Sequence, residues 1–295
     1  MDGVNSVISS GGSAHAAAAN REGTGGVQAV TVSSGGFLRT YLLYVPPGDS
    51  KRHPLPLVLV YHGAESTAAA TTSLTGLLSI DQQQHNMILA FLQGYDDTWN
   101  DDAGDPPAEA ANVNDIAFTQ LVLRRIETNY EVNLDRVIAT GFSNGAILAE
   151  LLGCRIASNL TVIVPVEGQL SPTFSGSCRP SAPISVYEIH ATGDQAIPYS
   201  GGTFAGVGGP VTVLSAPASA ARWATLDHCA ANPSSSQSGD SVLTNYGRCR
   251  DRVSVTLNSI QGGAHEWPPG FGQTVLGIIH SIKDKRQATR PSGGK

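Results

Sequence analysis

The sequence predicts an α/β fold, with a mostly parallel, doubly wound sheet and helices on both faces. Two observations predict it. Several short runs are apolar without interruption, as in strands buried on both faces of a parallel sheet. Helix-forming segments separate these runs, and sequential right-handed crossovers would then place the helices on both sides of the sheet.

The strand and helix candidates follow one another along most of the chain. Runs of strand character cover residues 40–45, 55–61, 87–91, 136–140, 160–164, 184–189 and 253–257. The clearest helix begins near Asp115, where Phe118, Val122 and Ile126 share one face, and Asn114 or Asp115 can cap it. We interpret residues 195–220 as a long loop, because their pattern is weak and rich in glycine.

Length and composition predict one large domain flanked by two segments outside the core. The chain has 295 residues, 41% of them hydrophobic, which is enough for a single core over residues 28–283. Residues 1–27 are rich in Gly, Ser and Ala and are expected to be a disordered lead-in. Residues 284–295 are expected to form a basic, flexible tail.

The charge distribution argues against a polyanionic partner. The chain carries a net charge of −6, and residues 283–295 hold five Lys or Arg and one Asp. The remainder therefore has 18 − 5 = 13 bases against 24 − 1 = 23 acids, a charge of −10. Because like charges repel, we expect neither nucleic acid nor an anionic membrane as a partner. No apolar run reaches membrane-spanning length.

The four cysteines permit three pairings. We expect the two sequence-local disulfides Cys154–Cys178 and Cys229–Cys249, the second closing a floppy stretch at 232–239. The alternative is four reduced, buried cysteines in a cytosolic protein. No cysteine lies in a C-x-x-C and no histidine has metal-ligand spacing to them, so we expect neither metal nor cofactor.

A serine between two glycines is the strongest chemical signal. Residues 141–145 read Gly-Phe-Ser-Asn-Gly, with a β-branched run before them and strong helix formers after them. A strand, a sharp turn and a helix hold such a serine exposed at the edge of a parallel sheet. We therefore predict that Ser143 is a nucleophile.

An activated serine needs a histidine and an acid, and both follow in the expected order. Asp194 comes directly after the strand at 184–189, and His265 follows the strand at 253–257. Glu266 is a rival acid, but its adjacency to His265 makes the required contact awkward. His190 lies at a strand end and is expected to be buried and structural.

The oxyanion that forms on attack needs two N–H donors. We assign one to Asn144, after the nucleophile, and one to Ala64, in the loop that follows the strand at 55–61. We expect the side chain of His62 to brace that loop rather than to react.

Two tryptophans are candidates for substrate binding. Trp267 lies two residues beyond His265, and Trp99 follows the strand at 87–91, again at the carboxyl edge of the sheet. An aromatic wall would suit a planar or extended acyl group, although plain packing is the alternative for both.

These motifs together resemble the polyhydroxybutyrate depolymerase-like esterases, which include the feruloyl and acetyl xylan esterases of carbohydrate esterase family 1. The matching stretches are residues 56–63, 114–118, 134–145, 165–168, 192–194, 198–199 and 262–268. The resemblance implies an α/β-hydrolase fold, with Ser143, Asp194 and His265 as nucleophile, acid and base. Glu167 and Glu266 occupy positions that often carry other residues, which leaves the acyl specificity open.

The expected function is a serine carboxylic-ester hydrolase that works through an acyl-enzyme, in the first place a feruloyl (cinnamoyl) esterase on plant cell-wall polysaccharide. Alternatives are a poly(3-hydroxybutyrate) depolymerase, an acetyl xylan esterase and, remotely, a non-catalytic binding protein on the same fold. The expected partner is a small ester or a feruloylated polysaccharide, and the expected location is extracellular. Asn159 lies in a sequon that a eukaryotic secretory host could glycosylate.

Overall fold

The computed structural model describes residues 23–48, 53–104 and 107–282. Most of the predicted lead-in and the whole predicted basic tail lie outside these residues. The strands are β1 (Val27–Ser34), β2 (Phe37–Tyr44), β3 (Leu55–Tyr61), β4 (Ile88–Leu92), β5 (Val132–Phe142), β6 (Val162–Val166), β7 (Ser185–Ala191), β8 (Gly202–Ala205), β9 (Pro210–Val213), β10 (Ser234–Ser238), β11 (Ser241–Tyr246) and β12 (Val255–Ile260). The α-helices are α1 (Ala68–Leu74), α2 (Leu77–Gln84), α3 (Pro107–Ala110), α4 (Asp115–Asn129), α5 (Asn144–Ile156), α6 (Pro172–Ser175), α7 (Ala216–Leu226) and α8 (Phe271–Ser281).

Ten strands form one sheet in the order β1-β2-β4-β3-β5-β6-β7-β12-β11-β10. The six strands from β4 to β12 in this order pair in parallel, and antiparallel hairpins extend the sheet at both edges. Because β3, β4 and β6 are apolar and buried along nearly their whole length, they need cover on both faces. The predicted fold class is confirmed.

Helices pack on both faces of this sheet and form two hydrophobic cores. One core includes Phe118 of α4, Leu151 of α5 and Trp223 of α7. The other includes Leu77 of α2 and Val275 of α8. The carboxyl ends of the parallel strands therefore lie together at one edge of a sheet that is covered on both faces.

The first core also contains acids whose pKa values burial raises. Glu150 of α5 accepts a hydrogen bond from the indole N–H of Trp223, and its side chain is completely buried. Burial raises the pKa of Glu150, and it raises the pKa of Glu188 on β7 well above its usual range. Asp227, at the end of α7, accepts a hydrogen bond from Ile184 N, and burial raises its pKa to about 7.

The N-terminus of α4 anchors a buried ion pair. Asn114 caps the helix by accepting a hydrogen bond from Ala117 N at 2.8 Å, as the sequence predicts. Asp115 then lies against Arg39 of β2 at 2.6 Å, with both side chains buried. The second oxygen of Asp115 accepts from Asn100 N at 2.8 Å. This ion pair therefore fixes the chain just after Trp99.

The prediction of a long loop over residues 195–220 is wrong. This stretch contains the β8–β9 hairpin and the start of α7, which Ser215 caps by accepting from Ala218 N. Each hairpin strand has only four residues, which is too short for alternation to stand out from the surrounding glycines.

Two further segments differ from their predicted structure. The stretch at 232–239 is not floppy, because residues 234–238 form β10 and pair with β11. The strand at 160–164 continues through Pro165 to Val166, although proline cannot donate to a ladder. Its pairing with β7 skips from Ile163 to Val166 in an unchanged register, so the ladder is interrupted only around Pro165.

Both predicted disulfides are present, Cys154–Cys178 and Cys229–Cys249. The first ties α5 to the segment after α6, and the second closes the β10–β11 hairpin. In the part of the chain that the structure covers, no helix combines the length and the apolar character needed to cross a bilayer.

Candidate active site

Ser143 lies at a sharp turn between β5 and α5. Its φ is 55° and its ψ is −123°, a conformation that L-residues seldom adopt, and it is the N-cap of α5. The two flanking glycines make this turn possible. A Cβ at Gly141 would lie 2.1 Å from Gly145 O, and a Cβ at Gly145 would lie 2.4 Å from His62 O. Close packing of strand, helix and loop thus holds the serine out of the sheet.

The two residues predicted to donate N–H groups lie beside Ser143. Asn144 is the first residue of α5, so its N–H has no acceptor within the helix. Glu65 N and Ser66 N donate to Asp97 O and Gly63 O, whereas Ala64 N–H makes no hydrogen bond within the described residues. Ala64 and Asn144 both line the same cleft as Ser143. Their placement suits the two oxyanion donors predicted from the sequence.

Trp99 lies behind the cleft and not in it, which corrects its predicted role in substrate contact. Its side chain is completely buried, and its indole N–H donates to His62 O at 2.8 Å. Its backbone N–H and C=O hold the side chain of Asn144, which also donates to Asp101 at 2.6 Å. Trp99 therefore supports the start of α5 and the loop after β3, which contains Ala64, from inside the protein.

His62 braces the loop after β3, as expected. Its Nδ1 donates to Gly63 O at 2.7 Å, and its Nε2 accepts from Gly94 N at 2.9 Å. Burial lowers the pKa of His62, which favours the neutral ring that this pair of bonds requires.

Asp194 and His265 come together at the ends of β7 and β12. His265 Nδ1 lies 2.7 Å from Asp194 Oδ2, and Asp194 Oδ1 accepts from Ala196 N and Ile197 N at 2.7 and 3.0 Å. Burial alone would raise the pKa of Asp194, but hydrogen bonds from His190 and His265 hold it well below its usual range. Asp194 is thus an ionised acceptor that fixes the tautomer of His265.

The imidazole of His265 lies next to the serine turn. Its ring packs against Phe142, the residue before Ser143, with a centroid separation of 4.6 Å. Within the described residues Ser143 Oγ makes no hydrogen bond in this conformation. Such contacts often tighten only when substrate binds.

Trp267 packs beneath this contact. Its ring stacks on Phe142 at 5.4 Å and meets Phe271 of α8 at 4.7 Å, and it is only partly buried. It is not among the residues that line the cleft beside Ser143. Its contact with substrate stays a prediction.

A cleft of about 330 Å³ opens beside Ser143 and has one polar and one apolar side. The polar side contains Asp101 and Glu65 besides the backbone donors. The apolar side consists of Ile147, Ile197, Phe204, Val207 and Val211. Three of these five belong to the β8–β9 hairpin or its turn, the element that the sequence analysis took for a loop. The short β-branched run at 211–213 was the available signal.

Sequence reasoning also gave no role to Glu167, which lies directly behind Asp194. Glu167 follows β6 with a φ of 52°, is 1% exposed, and accepts from Ala191 N at 3.0 Å. His190 is buried beside it and donates to Ile197 O at 2.9 Å, in line with its expected structural role. An acid directly after a buried parallel strand was the signal that could have identified Glu167.

Comparison with known proteins agrees with this geometry. No protein-family model matches the sequence. Feruloyl esterase B of Piromyces equi is 26% identical over 239 residues, which are 77% of this chain and 42% of that enzyme. The chain thus spans less than half the length of this relative. An acetyl xylan esterase structure from Aspergillus awamori superimposes with a TM-score of 0.63 at 11% identity, covering 87% of this chain and 99% of that one. A feruloyl esterase module from Clostridium thermocellum, in complex with sinapinate, gives a TM-score of 0.55 at 12% identity and covers 90% and 89%.

The parallel sheet, the serine turn between β5 and α5, and the acid and histidine at later strand ends define an α/β-hydrolase fold. The chain shares this fold with esterases of known structure. Proteins named feruloyl esterase are among its sequence relatives.

Proposed function

We propose that this protein is a serine carboxylic-ester hydrolase with Ser143, His265 and Asp194 as its triad. The observation that carries the proposal is the Asp194–His265 pair packed against the turn that presents Ser143. His265 takes the proton of Ser143 as the hydroxyl attacks the ester carbonyl, and the N–H groups of Asn144 and Ala64 receive the oxyanion. His265 then gives this proton to the departing alcohol. Water, activated by the same imidazole, cleaves the acyl-enzyme and releases the acid.

The preferred substrates in this proposal are feruloyl or related cinnamoyl esters on plant cell-wall polysaccharide. The named relatives support this choice, and a cleft of about 330 Å³ with an apolar side suits one extended aromatic acyl group. Poly(3-hydroxybutyrate) and acetylated xylan are the alternative substrates. The acetyl xylan esterase with the same fold favours the second of these.

A substrate panel tests this order. We expect kcat/KM for methyl ferulate to exceed that for acetylated xylan and for 3-hydroxybutyrate oligomers by about tenfold or more, since a pocket discriminates acyl groups on that scale. Faster hydrolysis of either alternative would replace the feruloyl assignment and leave the triad in place. Absence of hydrolysis with all three substrates and with p-nitrophenyl acetate would contradict the enzyme itself.

The rate should fall in acid with a single ionisation. His265 must be neutral to accept a proton, and histidines titrate between about pH 5 and 7. The pKa of Asp194 is held well below its usual range, so Asp194 remains ionised throughout this interval. We expect log(kcat/KM) for p-nitrophenyl acetate to fall with a slope of about one per pH unit. A flat profile to pH 4 would exclude His265 as the base.

We further propose an extracellular location. Two disulfides join all four cysteines, and such bonds persist in oxidising compartments. Alkylation of protein recovered from the culture medium, without prior reduction, should add no label. Labelling of all four cysteines in protein taken directly from the cytosol of producing cells would contradict this location.

A further inference from the structure

Two buried side chains, Glu167 and His190, lie close to Asp194, the acid of the proposed triad. The polar atoms of Glu167, His190 and Asp194 lie within 4.8 Å of one another, and all three residues are buried. His190 Nε2 lies 3.3 Å from Glu167 Oε2 and 3.4 Å from Asp194 Oδ2. One carboxyl oxygen of Glu167 and one of Asp194 thus lie within 4.8 Å of each other, and both lie within 3.4 Å of the same ring nitrogen. Since two carboxyl groups share this buried space, the number of protons that they bind together decides whether they attract or repel each other.

One of the two carboxyl groups must carry a proton. Two ionised carboxylates in contact, away from water, would repel each other strongly. A charged His190 could offset this repulsion, but its Nδ1 is buried and has no partner within the described residues. Protonation there would leave a buried N–H unpaired, whereas a neutral ring leaves only a lone pair. We therefore place the extra proton on a carboxyl group and not on His190.

The hydrogen-bond partners place that proton on Glu167. Asp194 accepts from two backbone amides and from His265, which all favour its ionised form. Glu167 accepts from one backbone amide, that of Ala191, while the Nε2–H of His190 donates to Ile197 O and only lies near Glu167 Oε2, at 3.3 Å. Burial, and after it the nearby Asp194, raise the pKa of Glu167 to about 9.

We propose that Glu167, as a neutral carboxylic acid, donates a hydrogen bond to Asp194 and so positions the Asp194–His265 pair for catalysis. Glu167 is a positioning residue in this account, because it acts through Asp194 and does not touch the reacting atoms. The inference rests on the proposed function of the triad. It assigns a protonation state to a residue behind the triad.

The proposal implies a limit on activity in alkali. Below pH 9 Glu167 keeps its proton, and above that pH it becomes a second anion against Asp194. The bond to Asp194 is then lost, and repulsion displaces the carboxylate from His265. Besides His190, the other titratable groups that face Glu167 are Glu188 on β7 and Glu266 beside His265. Both are acids, so neither can neutralise the new charge.

Glu167→Gln tests this directly, because the amide is neutral at every pH and can still donate to Asp194. We expect kcat/KM for p-nitrophenyl acetate at pH 7 to stay within about threefold of the wild type, while the alkaline decline near pH 9 disappears. Glu167→Leu has similar volume but no donor, and should lower kcat by about tenfold or more with little change in KM. Glu150→Gln is the matched control, since it removes another buried acid that does not contact Asp194.

Each result decides the proposal. An alkaline decline that is unchanged in Glu167→Gln, or that Glu150→Gln also removes, would overturn it. So would loss of activity in folded Glu167→Gln at pH 7, because an anion would then be required. A Glu167→Leu variant as active as the glutamine variant would reduce Glu167 to a packing residue.

Nuclear magnetic resonance of the wild type provides a readout that needs neither a variant nor a substrate. The low-field proton between His265 and Asp194 should weaken as pH rises through about 9, with circular dichroism unchanged. Persistence of that resonance to higher pH would overturn the proposal even in a protein without esterase activity. If the resonance weakened near pH 9 as expected but no substrate were hydrolysed, the proposed function would be contradicted and the proton on Glu167 would still be supported.

Discussion

Ser143→Ala is expected to lower kcat/KM for p-nitrophenyl acetate by about 10⁴-fold or more, because no other group can form the acyl-enzyme. The remaining rate would come from the oxyanion donors and from binding alone. The fold should survive, since Ser143 Oγ makes no hydrogen bond within the described residues and alanine removes only that atom. The positive φ of 55° is already tolerated at this position without glycine.

The control for this substitution is Ser158→Ala. Ser158 is exposed, lies in the short 3₁₀ helix after α5, and has no part in the cleft. Its kcat/KM should equal that of the wild type. A fluorophosphonate probe should label the wild type and Ser158→Ala but not Ser143→Ala. Substantial hydrolysis by folded Ser143→Ala, or labelling of another residue, would contradict the nucleophile.

Asp115→Ala should lower the free energy of unfolding by about 3–5 kcal/mol, because it leaves the charge of Arg39 buried and unpaired. The ion pair measures 2.6 Å, and Arg39 also lies 4.2 Å from the ring centre of Phe118. The backbone N–H of Asn100 loses its acceptor in the same variant. Since residues 99–101 hold Asn144, we also expect lower activity per folded molecule. Urea titration and kcat measured below the transition separate the two effects.

Two further variants serve as controls for this prediction. Arg155→Ala breaks the exposed ion pair with Asp102, which measures 3.5 Å, and should change stability by no more than about 1 kcal/mol. Asp115→Leu combined with Arg39→Met removes both buried charges and should be more stable than Asp115→Ala. If Asp115→Ala matched Arg155→Ala, the buried pair would not be a stabilising element.

The turn that presents Ser143 and the pair of Asp194 and His265 could be predicted because the sequence patterns that indicate them are local. Strand, turn and helix around Ser143 need only neighbouring residues and two glycines, and the sheet then brings the ends of β7 and β12 together. Trp99 could not be placed in this way. Its position after a strand is local information, but its burial depends on His62, Asn144 and the ion pair at Asp115, which come from three distant parts of the chain.

The apolar side of the cleft escaped prediction for a different reason. β8 and β9 have four residues each, and their pairing is stabilised by a turn rich in glycine that resembles a loop in sequence. Glu167 escaped because a single acid after a strand has many possible roles. Only the three-dimensional contact with Asp194 distinguishes it from a surface residue.

The buried acids also make folding a proton-uptake reaction. In the unfolded chain Glu150, Glu167 and Asp227 have ordinary acidic pKa values, whereas in the folded protein burial raises the pKa of each, to about 9 for Glu167 and about 7 for Asp227. Between these values the native state binds more protons than the unfolded state, so each group removes about 1.4 kcal/mol of stability per pH unit as pH rises. This loss begins above the unfolded pKa and ends at the folded pKa. Refolding near neutrality therefore draws protons from the buffer, and its calorimetric heat depends on which buffer supplies them.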